Sequence, residues 1–297
     1  MAFTLLIKSK GLFNKAKSIN FEELISNCGL KYGSDNEFYI LVENQKINET
    51  AILYNPKRIG RGIFFDSSNV SKGEITISYN IPTTPTEIRD FIGVAKEIER
   101  QFGKASFFCE EENREYTISS LENNIDAMIA FSLEKLNEFC SNHELQQLLL
   151  TMTMFPWHVD NNKREEYKTC NNLDDFENKL HELQSEDRYY AKPSLFRNKN
   201  DGKNLAVYTL TDDCESIFPV KAETFVNMDN IKIDEGLVGF FIYEEKKSVE
   251  GLFPYNEFIE FVKEKGATPF DAEHLKVPAI SKEAIYAFVD SVKNKIC

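Results

Sequence analysis

The stretch best suited to hold an anion is residues 55–65, Asn-Pro-Lys-Arg-Ile-Gly-Arg-Gly-Ile-Phe-Phe, which sets three basic residues around two glycines. Phosphate loops need glycines that lead into a helix, because the helix N-terminus supplies aligned amides. Here the glycines lead into Ile63-Phe64-Phe65, which is typical of a strand, and no Walker-type motif occurs in the chain. We therefore predict a turn in which Arg58 is solvated and Arg61 forms an internal ion pair. A ligand site at Arg58 and Arg61 is the alternative.

The second candidate is residues 154–160, MFPWHVD, which contain the only tryptophan, one of four histidines and a nearby aspartate. On a strand, His158 and Asp160 would share a face, so the carboxylate could orient the imidazole. A catalytic pair would still need a nucleophile or a metal from elsewhere in the chain. We favour a Trp157 packed at the edge of the core with a hydrogen-bonded His158 beside it, because large aromatic side chains are mostly buried. A ligand site at Trp157 and His158 is the alternative.

Other motifs that carry chemistry are incomplete. His143-Glu144 and His181-Glu182 each begin like the zinc motif H-E-x-x-H, but the fifth positions are Gln147 and Ser185. The six cysteines are widely spaced without a C-x-x-C pair, so we expect reduced thiols. No G-x-S-x-G nucleophile motif is present. We therefore predict no catalytic residue, no metal site and no cofactor.

The charge of the chain limits its partners. A formal charge of -13 repels phosphate backbones and anionic lipids, so we expect neither nucleic acid nor a membrane as partner. Basic or neutral protein surfaces remain. The first ten residues hold only a three-residue apolar run, and the longest apolar block, Gly236 to Tyr243, is too short to cross a bilayer. We expect a soluble, cytoplasmic protein.

The elements around these candidates are strands and amphipathic helices. Strands are predicted at Phe3–Lys8, Asn36–Asn44, Thr50–Tyr54, Ile63–Asp66, Glu74–Tyr79 and Ala105–Cys109. The clearest helix signal is Thr84 as N-cap, Pro85 at the first helical position, Glu87 closing a capping box and Gly103 as the stop. A shorter helix is expected between the cap Asn20 and Gly29.

In the second half of the chain, helices and strands again come in groups. A long helix is predicted from about Ser120 to Cys140, whereas Leu148 to Val159 fits either a helix or a strand. The Asp-Gly turn in residues 198–203 predicts a hairpin, and Leu237–Tyr243 a buried strand. Strands cluster instead of alternating with helices, which indicates an α+β fold of largely antiparallel sheets and packed amphipathic helices. The acidic run at residues 110–115 suggests two domains, 1–115 and 116–297, with a single large domain as the alternative.

Three patches of the chain, IGRGIFF, ISYNIPTTPTEIRDF and CESIFP, resemble a family of uncharacterised bacterial proteins of about this length, a domain of unknown function. The resemblance centres on Arg61-Gly62 and on the Pro-Thr-Thr-Pro of residues 82–85. It implies a bacterial cytoplasmic protein and brings no catalytic residues.

Two functions therefore remain in view. The first is a non-enzymatic protein that binds a protein partner, which an exposed apolar patch of roughly several hundred Å², rimmed by polar groups, would favour. The second is an enzyme or small-ligand binder with a site assembled from distant residues around Arg61 and His158, which a shared pocket would favour. A third, narrower alternative is recognition of a phosphopeptide by Arg58 and Arg61.

Overall fold

The computed structural model describes residues 1–10, 18–142, 148–226 and 230–296. His143 and Gln147 of the incomplete zinc motif lie outside the described residues, as does Cys297. The chain divides into two compact units, Met1–Ser185 and Glu186–Cys297. The boundary expected at residue 115 falls inside the first unit, because the strand that contains it pairs with the strand before it, Phe107 opposite Tyr116.

The described part of the first unit contains ten strands and six helices. The strands are β1 (Ala2–Ser9), β2 (Lys31–Asp35), β3 (Leu41–Glu43), β4 (Thr50–Tyr54), β5 (Ile63–Asp66), β6 (Glu74–Asn80), β7 (Ala105–Cys109), β8 (Arg114–Tyr116), β9 (Leu148–Leu150) and β10 (Trp157–Val159). The helices are α1 (Phe21–Cys28), α2 (Pro85–Phe102), α3 (Ile118–Asn123), α4 (Ile125–Ser141), α5 (Asn161–Tyr167) and α6 (Asp174–Gln184), with a 3-10 turn at Val70–Lys72.

An antiparallel eight-stranded sheet forms the centre of this unit, in the order β3-β2-β4-β5-β6-β1-β7-β8. Alternate residues of its strands, such as Leu5, Ile77 and Phe65, are fully buried in one core with α1 and α2. The residues between them point to the opposite face, because side chains alternate along a strand. On that face Ile52, Phe64 and Ser78 lie opposite one another across β4, β5 and β6.

The capping signals predicted the helix ends well. Thr84 Oγ1 accepts a hydrogen bond from the amide of Glu87 at 3.2 Å, Pro85 begins α2, and Gly103 follows its last residue. Asn20 likewise accepts from the amide of Glu23 at the start of α1. Both caps join residues three positions apart, which is why the sequence alone predicted these helix starts.

Two predicted elements were wrong in part. The expected strand Asn36–Asn44 begins as a turn, because the Asn36 side chain accepts hydrogen bonds from the amides of Phe38 and Ile40, and only β3 remains extended. The expected helix at Ser120–Cys140 is divided into α3 and α4 at Asn124, whose side-chain amide donates to the carbonyl of Ser120 at 2.8 Å. The ambiguous segment from Leu148 is a hairpin of β9 and β10.

In its described residues, the second unit contains nine strands and two helices. The strands are β11 (Tyr189–Tyr190), β12 (Ser194–Arg197), β13 (Asn204–Thr211), β14 (Ser216–Pro219), β15 (Glu235–Ile242), β16 (Lys247–Ser248), β17 (Phe253–Pro254), β18 (Thr268–Pro269) and β19 (His274–Val277). The helices are α7 (Tyr255–Glu264) and α8 (Lys282–Ile296).

These strands form two sheets, β11-β14-β19-β18 and β12-β13-β15-β16, with β17 also paired to β15. The hairpin predicted at residues 198–203 joins β12 to β13. Two pairs are parallel, β13 with β15 and β11 with β14. Phe218, Phe240 and Phe258 pack edge to face in the core of this unit.

The α+β prediction is confirmed, since helices and largely antiparallel sheets occur in both units. None of the helices in the described ranges combines the length and the apolar composition needed to cross a bilayer.

Candidate functional site

The corner at residues 55–65 feeds β5, as its sequence predicts, and the place for an anion there is taken by the protein's own Glu87. The amide of Gly62 donates to Glu87 Oε2 at 2.7 Å. Glu87 Oε1 accepts a hydrogen bond from the hydroxyl of Thr83. The predicted capping box is therefore half formed: Thr84 caps α2, but the carboxylate of Glu87 turns to the corner.

The guanidinium of Arg61 is held by neutral oxygens. Nε and Nη2 donate to the carbonyl and hydroxyl of Thr151 at 3.0 and 3.3 Å, and Nη1 donates to the carbonyl of Pro82 at 3.0 Å. Burial lowers the pKa of Arg61 to about 10, and the charge of Glu87 opposes this change. At neutral pH the guanidinium is therefore still cationic.

Glu87 is buried, and burial raises the pKa of its carboxyl group. Hydrogen bonds from Thr83 and Gly62, and then the charge of Arg61, act in the opposite direction. Among the described residues no carboxylate forms an ion pair with the Arg61 guanidinium, so the predicted internal ion pair is wrong; Glu87 acts on Arg61 through charge alone.

Both glycines of the corner are required by close approach. A Cβ on Gly60 would lie 2.5 Å from Glu87 Oε2, and a Cβ on Gly62 would lie 2.5 Å from Cγ2 of Ile52. Gly62 also has φ of +86°, in the region that favours glycine. The two glycines therefore allow Glu87 and Ile52 to approach the backbone of the corner closely.

Helix α6 braces the other end of the corner. The exposed Arg58 donates from Nη1 to Oδ1 of Asn178 at 2.9 Å. Nδ1 of His181 accepts a hydrogen bond from the amide of Ile59 at 3.2 Å. His181, the histidine of the second incomplete zinc motif, therefore binds a backbone amide of the corner.

The structure places Trp157 in the core. It is 1 % exposed and meets Tyr167 edge to face at 6.4 Å between ring centroids. His158 is buried beside it in β10, opposite Leu149. Asp160 lies beyond the end of β10 and caps α5 by accepting from the amides of Asn162 and Lys163.

A cavity of about 270 Å³ lies on the outer face of the large sheet, and Arg61 lines it. Ile52, Phe64 and Met152 supply its apolar surface. Its polar lining, which defines the Arg61 cavity, comes from Asp35, Tyr39, Arg61, Ser78, Asn80 and Thr151. Neither Trp157 nor His158 lines it, so this cavity does not bring the two predicted sites together.

Asp35 is the acidic residue of this cavity, and the sequence analysis did not single it out. Its Oδ1 is buried without a hydrogen-bond partner among the described residues. Burial raises the pKa of its carboxyl group to about 6. Asp35 ends β2 and Arg61 precedes β5, so only the pairing of both strands with β4 brings them to one cavity.

The second unit carries an open groove of about 890 Å³ at the carboxyl ends of its parallel strands β13 and β15. We call it the acidic groove, because five of its lining residues are acids and one is an arginine. These six residues are Asp187, Arg188, Asp212, Asp213, Glu215 and Glu244. Two tyrosines complete its surface, Tyr189 at 47 % exposure and Tyr243 at 72 %. No sequence pattern marked it, since its residues come from three separate segments.

A buried hydrogen-bonded chain lies elsewhere in the second unit. The hydroxyl of Tyr190 and Nε2 of His274 are 2.8 Å apart, and Nδ1 of His274 and Oδ1 of Asp271 are 2.9 Å apart. Burial raises the pKa of the Tyr190 phenol well above its ordinary value. The side chains of His274 and Asp271 are 2 % and 0 % exposed, so this chain ties β11 to β19 inside the unit.

The thiols and acids give no sign of metal chemistry. Among the residues that the structure describes, no group of three or more His, Cys, Asp or Glu side chains is arranged to hold a metal ion. The five cysteines in those ranges are free thiols. Burial raises the pKa of Cys28 to about 11 and that of Cys140 to about 12, so both are protonated at neutral pH.

Comparison with known proteins places the chain in a family. No curated protein and no solved structure matches it. One family model covers residues 2–288, almost the whole chain, and confirms the resemblance to a domain of unknown function. The chain belongs to the family described as a domain of unknown function (DUF4299).

Proposed function

We propose that this chain is a bacterial cytoplasmic protein that acts by binding, without catalysis, and that its partner is a basic segment of another protein. The observation that carries the proposal is the acidic groove. Its one arginine, Arg188, is already paired with Glu186 and Glu215 at 3.2 Å each. The remaining carboxylates leave an excess of negative charge in a concave surface.

The groove has a rigid base. Asp212 is 4 % exposed, and its Oδ1 accepts a hydrogen bond from the amide of Tyr243 at 2.6 Å. Its own amide donates to the carbonyl of Phe241. These bonds hold the ends of β13 and β15 together, and crevices at the carboxyl ends of parallel strands are common places for ligands.

The two tyrosines favour a peptide over a metal ion. Tyr189 and Tyr243 expose aromatic surface beside carboxylates, and lysine or arginine side chains stack on such faces. The carboxylates of Asp187, Asp213 and Glu244 come from three segments and are not gathered as metal ligands within the described residues. Spaced charges of this kind match an extended chain with several basic residues.

Charge also argues against nucleic acid and anionic membranes as partners. The formal charge of -13 and the carboxylates of the groove both repel phosphate. Basic protein segments are attracted from a distance by the same field, and their association is expected to weaken with salt.

The test is fluorescence anisotropy with a labelled peptide of alternating arginine and serine at low ionic strength. The groove variant combines Asp213→Asn with Glu244→Gln, since both side chains are exposed and asparagine tolerates the φ of +51° at residue 213. The matched control combines Glu110→Gln with Glu115→Gln, which removes the same charge from two exposed positions, one before β8 and one within it.

We expect the groove variant to bind the peptide about tenfold more weakly, since two charge contacts of about 0.7 kcal/mol each are lost. The control should bind within about twofold of the unaltered chain, as expected for charges that do not line the groove. Equal weakening in both variants would show that the peptide responds to net charge alone and would refute the proposal. Absence of binding to the unaltered chain would refute it as well.

A further inference from the structure

The Arg61 cavity holds two opposite charges in a small space. Arg61 and Asp35 both line its volume of about 270 Å³, together with the hydroxyls of Ser78 and Thr151. From this pairing we propose that the cavity binds a small zwitterion of amino-acid type, with its ammonium group on Asp35 and its carboxylate on Arg61. This site is separate from the acidic groove, since its lining residues all belong to the first unit.

Asp35 supplies the first argument. A buried carboxylate oxygen normally accepts hydrogen bonds, because burial without them costs free energy. Oδ1 of Asp35 has no such partner among the described residues. An ammonium group in the cavity would give it donors and a compensating charge.

Arg61 supplies the second argument. A guanidinium has five N–H donors, and three of those on Arg61 bind Thr151 and Pro82. The other two have no acceptor within the described ranges of the chain. Three bonds fix the plane of the group, so an oxygen ligand bound by the remaining donors would cost little side-chain freedom.

The combination narrows the class of ligand. A simple anion such as phosphate would be repelled by Asp35, and a bare metal cation would be repelled by Arg61. A molecule that carries both charges can place its ammonium group on Asp35 and its carboxylate on Arg61. The apolar surface of Ile52, Phe64 and Met152 leaves room for a short hydrocarbon side chain, and a cavity of this size is too small for a folded segment of another protein.

The test uses thermal shift on the full chain with each of the twenty L-amino acids at millimolar concentration. The site variant is Asp35→Asn, which keeps the shape and removes the charge. The matched control is Asp290→Asn, an exposed position on α8. Ser78→Leu, which fills the cavity from β6, is a second site variant, and Asp213→Asn with Glu244→Gln reports on the acidic groove.

We expect at least one amino acid to raise the melting temperature of the unaltered chain and of the control and groove variants. Its dissociation constant, measured by calorimetry, should rise at least tenfold in Asp35→Asn, since a charge-assisted hydrogen bond is lost. Ser78→Leu should abolish the shift. The hydroxy acid that replaces the ammonium group by a hydroxyl should bind at least tenfold more weakly to the unaltered chain.

Three results would overturn the proposal. In the first, no amino acid stabilises the unaltered chain more than it stabilises Asp35→Asn. In the second, the hydroxy acid binds as well as the amino acid, which would leave Asp35 without a role. In the third, Ser78→Leu folds and keeps the full shift. Loss of peptide binding at the acidic groove would leave this inference untouched, because the groove variant is assayed in parallel.

Discussion

Replacement of Asp35 by asparagine should stabilise the free protein at about pH 8 and have little effect at about pH 4. Burial raises the pKa of this carboxyl group from 3.8 to about 6. The folded chain therefore binds the proton more tightly than the unfolded chain. The stability linked to that proton is fully present below the unfolded pKa and is lost as the pH rises through the folded pKa. Asparagine does not ionise, so the variant does not lose this stability as the pH rises.

The magnitude follows from the two pKa values. A change from 3.8 to about 6 corresponds to about 3 kcal/mol for a fully desolvated group. Asp35 is only partly buried, so solvent screening reduces the gain to about 1–2 kcal/mol. For a unit of 185 residues this is roughly 3–6 °C in melting temperature.

The assay is urea unfolding followed by tryptophan fluorescence. Trp157 is the only tryptophan and lies in the core of the first unit, so its emission reports on the unit that contains Asp35. Asp290→Asn serves as the control for loss of one negative charge. If Asp35→Asn were less stable than the unaltered chain at about pH 8, or if its gain were the same at about pH 4, then Asp35 would not be a desolvated carboxylate and the linkage above would be wrong.

Two further changes test the packing. Gly62→Ala should cost about 2–4 kcal/mol, because its Cβ would meet Ile52 at 2.5 Å and its φ is +86°; urea unfolding measures this. Gly93→Ala, inside α2 with nothing within 4 Å of its Cβ, should instead gain about 0.5–1 kcal/mol, and a loss there as large as at Gly62 would contradict the steric explanation. Tyr190→Phe should cost about 1–2 kcal/mol in calorimetric unfolding, because the buried hydrogen bond between the Tyr190 hydroxyl and Nε2 of His274 is lost; an unchanged melting temperature would show that the bond contributes nothing.

The features that the sequence predicted correctly are set by near neighbours. The cap at Thr84 and the Asp201-Gly202 turn each depend on residues within about four positions, so the local sequence is sufficient to predict them. The strand at Ile63 followed from its β-branched and aromatic composition, and this correctly argued against a helix-based phosphate loop.

The incorrect predictions concern side chains that could form a hydrogen bond with more than one partner, near or distant in sequence. Glu87 had the spacing of a capping box, yet its carboxylate binds the Gly62 amide, 25 positions earlier. The strand predicted from Asn36 failed because that side chain binds the backbone of its own turn, which composition alone does not reveal. Asn124 divided a continuous apolar pattern for the same kind of reason.

The sites themselves were found only in part. Arg61 stood out because glycines flank it, but its cavity depends on the strand pairing that brings Asp35 to the same face of the sheet. The acidic groove depends on a parallel pair with its crossover, β13 and β15, which an antiparallel interpretation does not anticipate. In both cases the sequence supplied the residue types and the topology supplied the juxtaposition.

The carboxylate seated on the Gly62 amide makes the corner independent of the salts around it. Glu87 is tethered to the chain and already occupies the Gly62 amide, so a dissolved anion cannot bind that amide while Glu87 is in place. The same arrangement means that a single change at residue 87 would free the Gly62 amide. A relative that shortened residue 87 would uncover a ready-made anion receptor, with an oriented amide and a buried cation already in place.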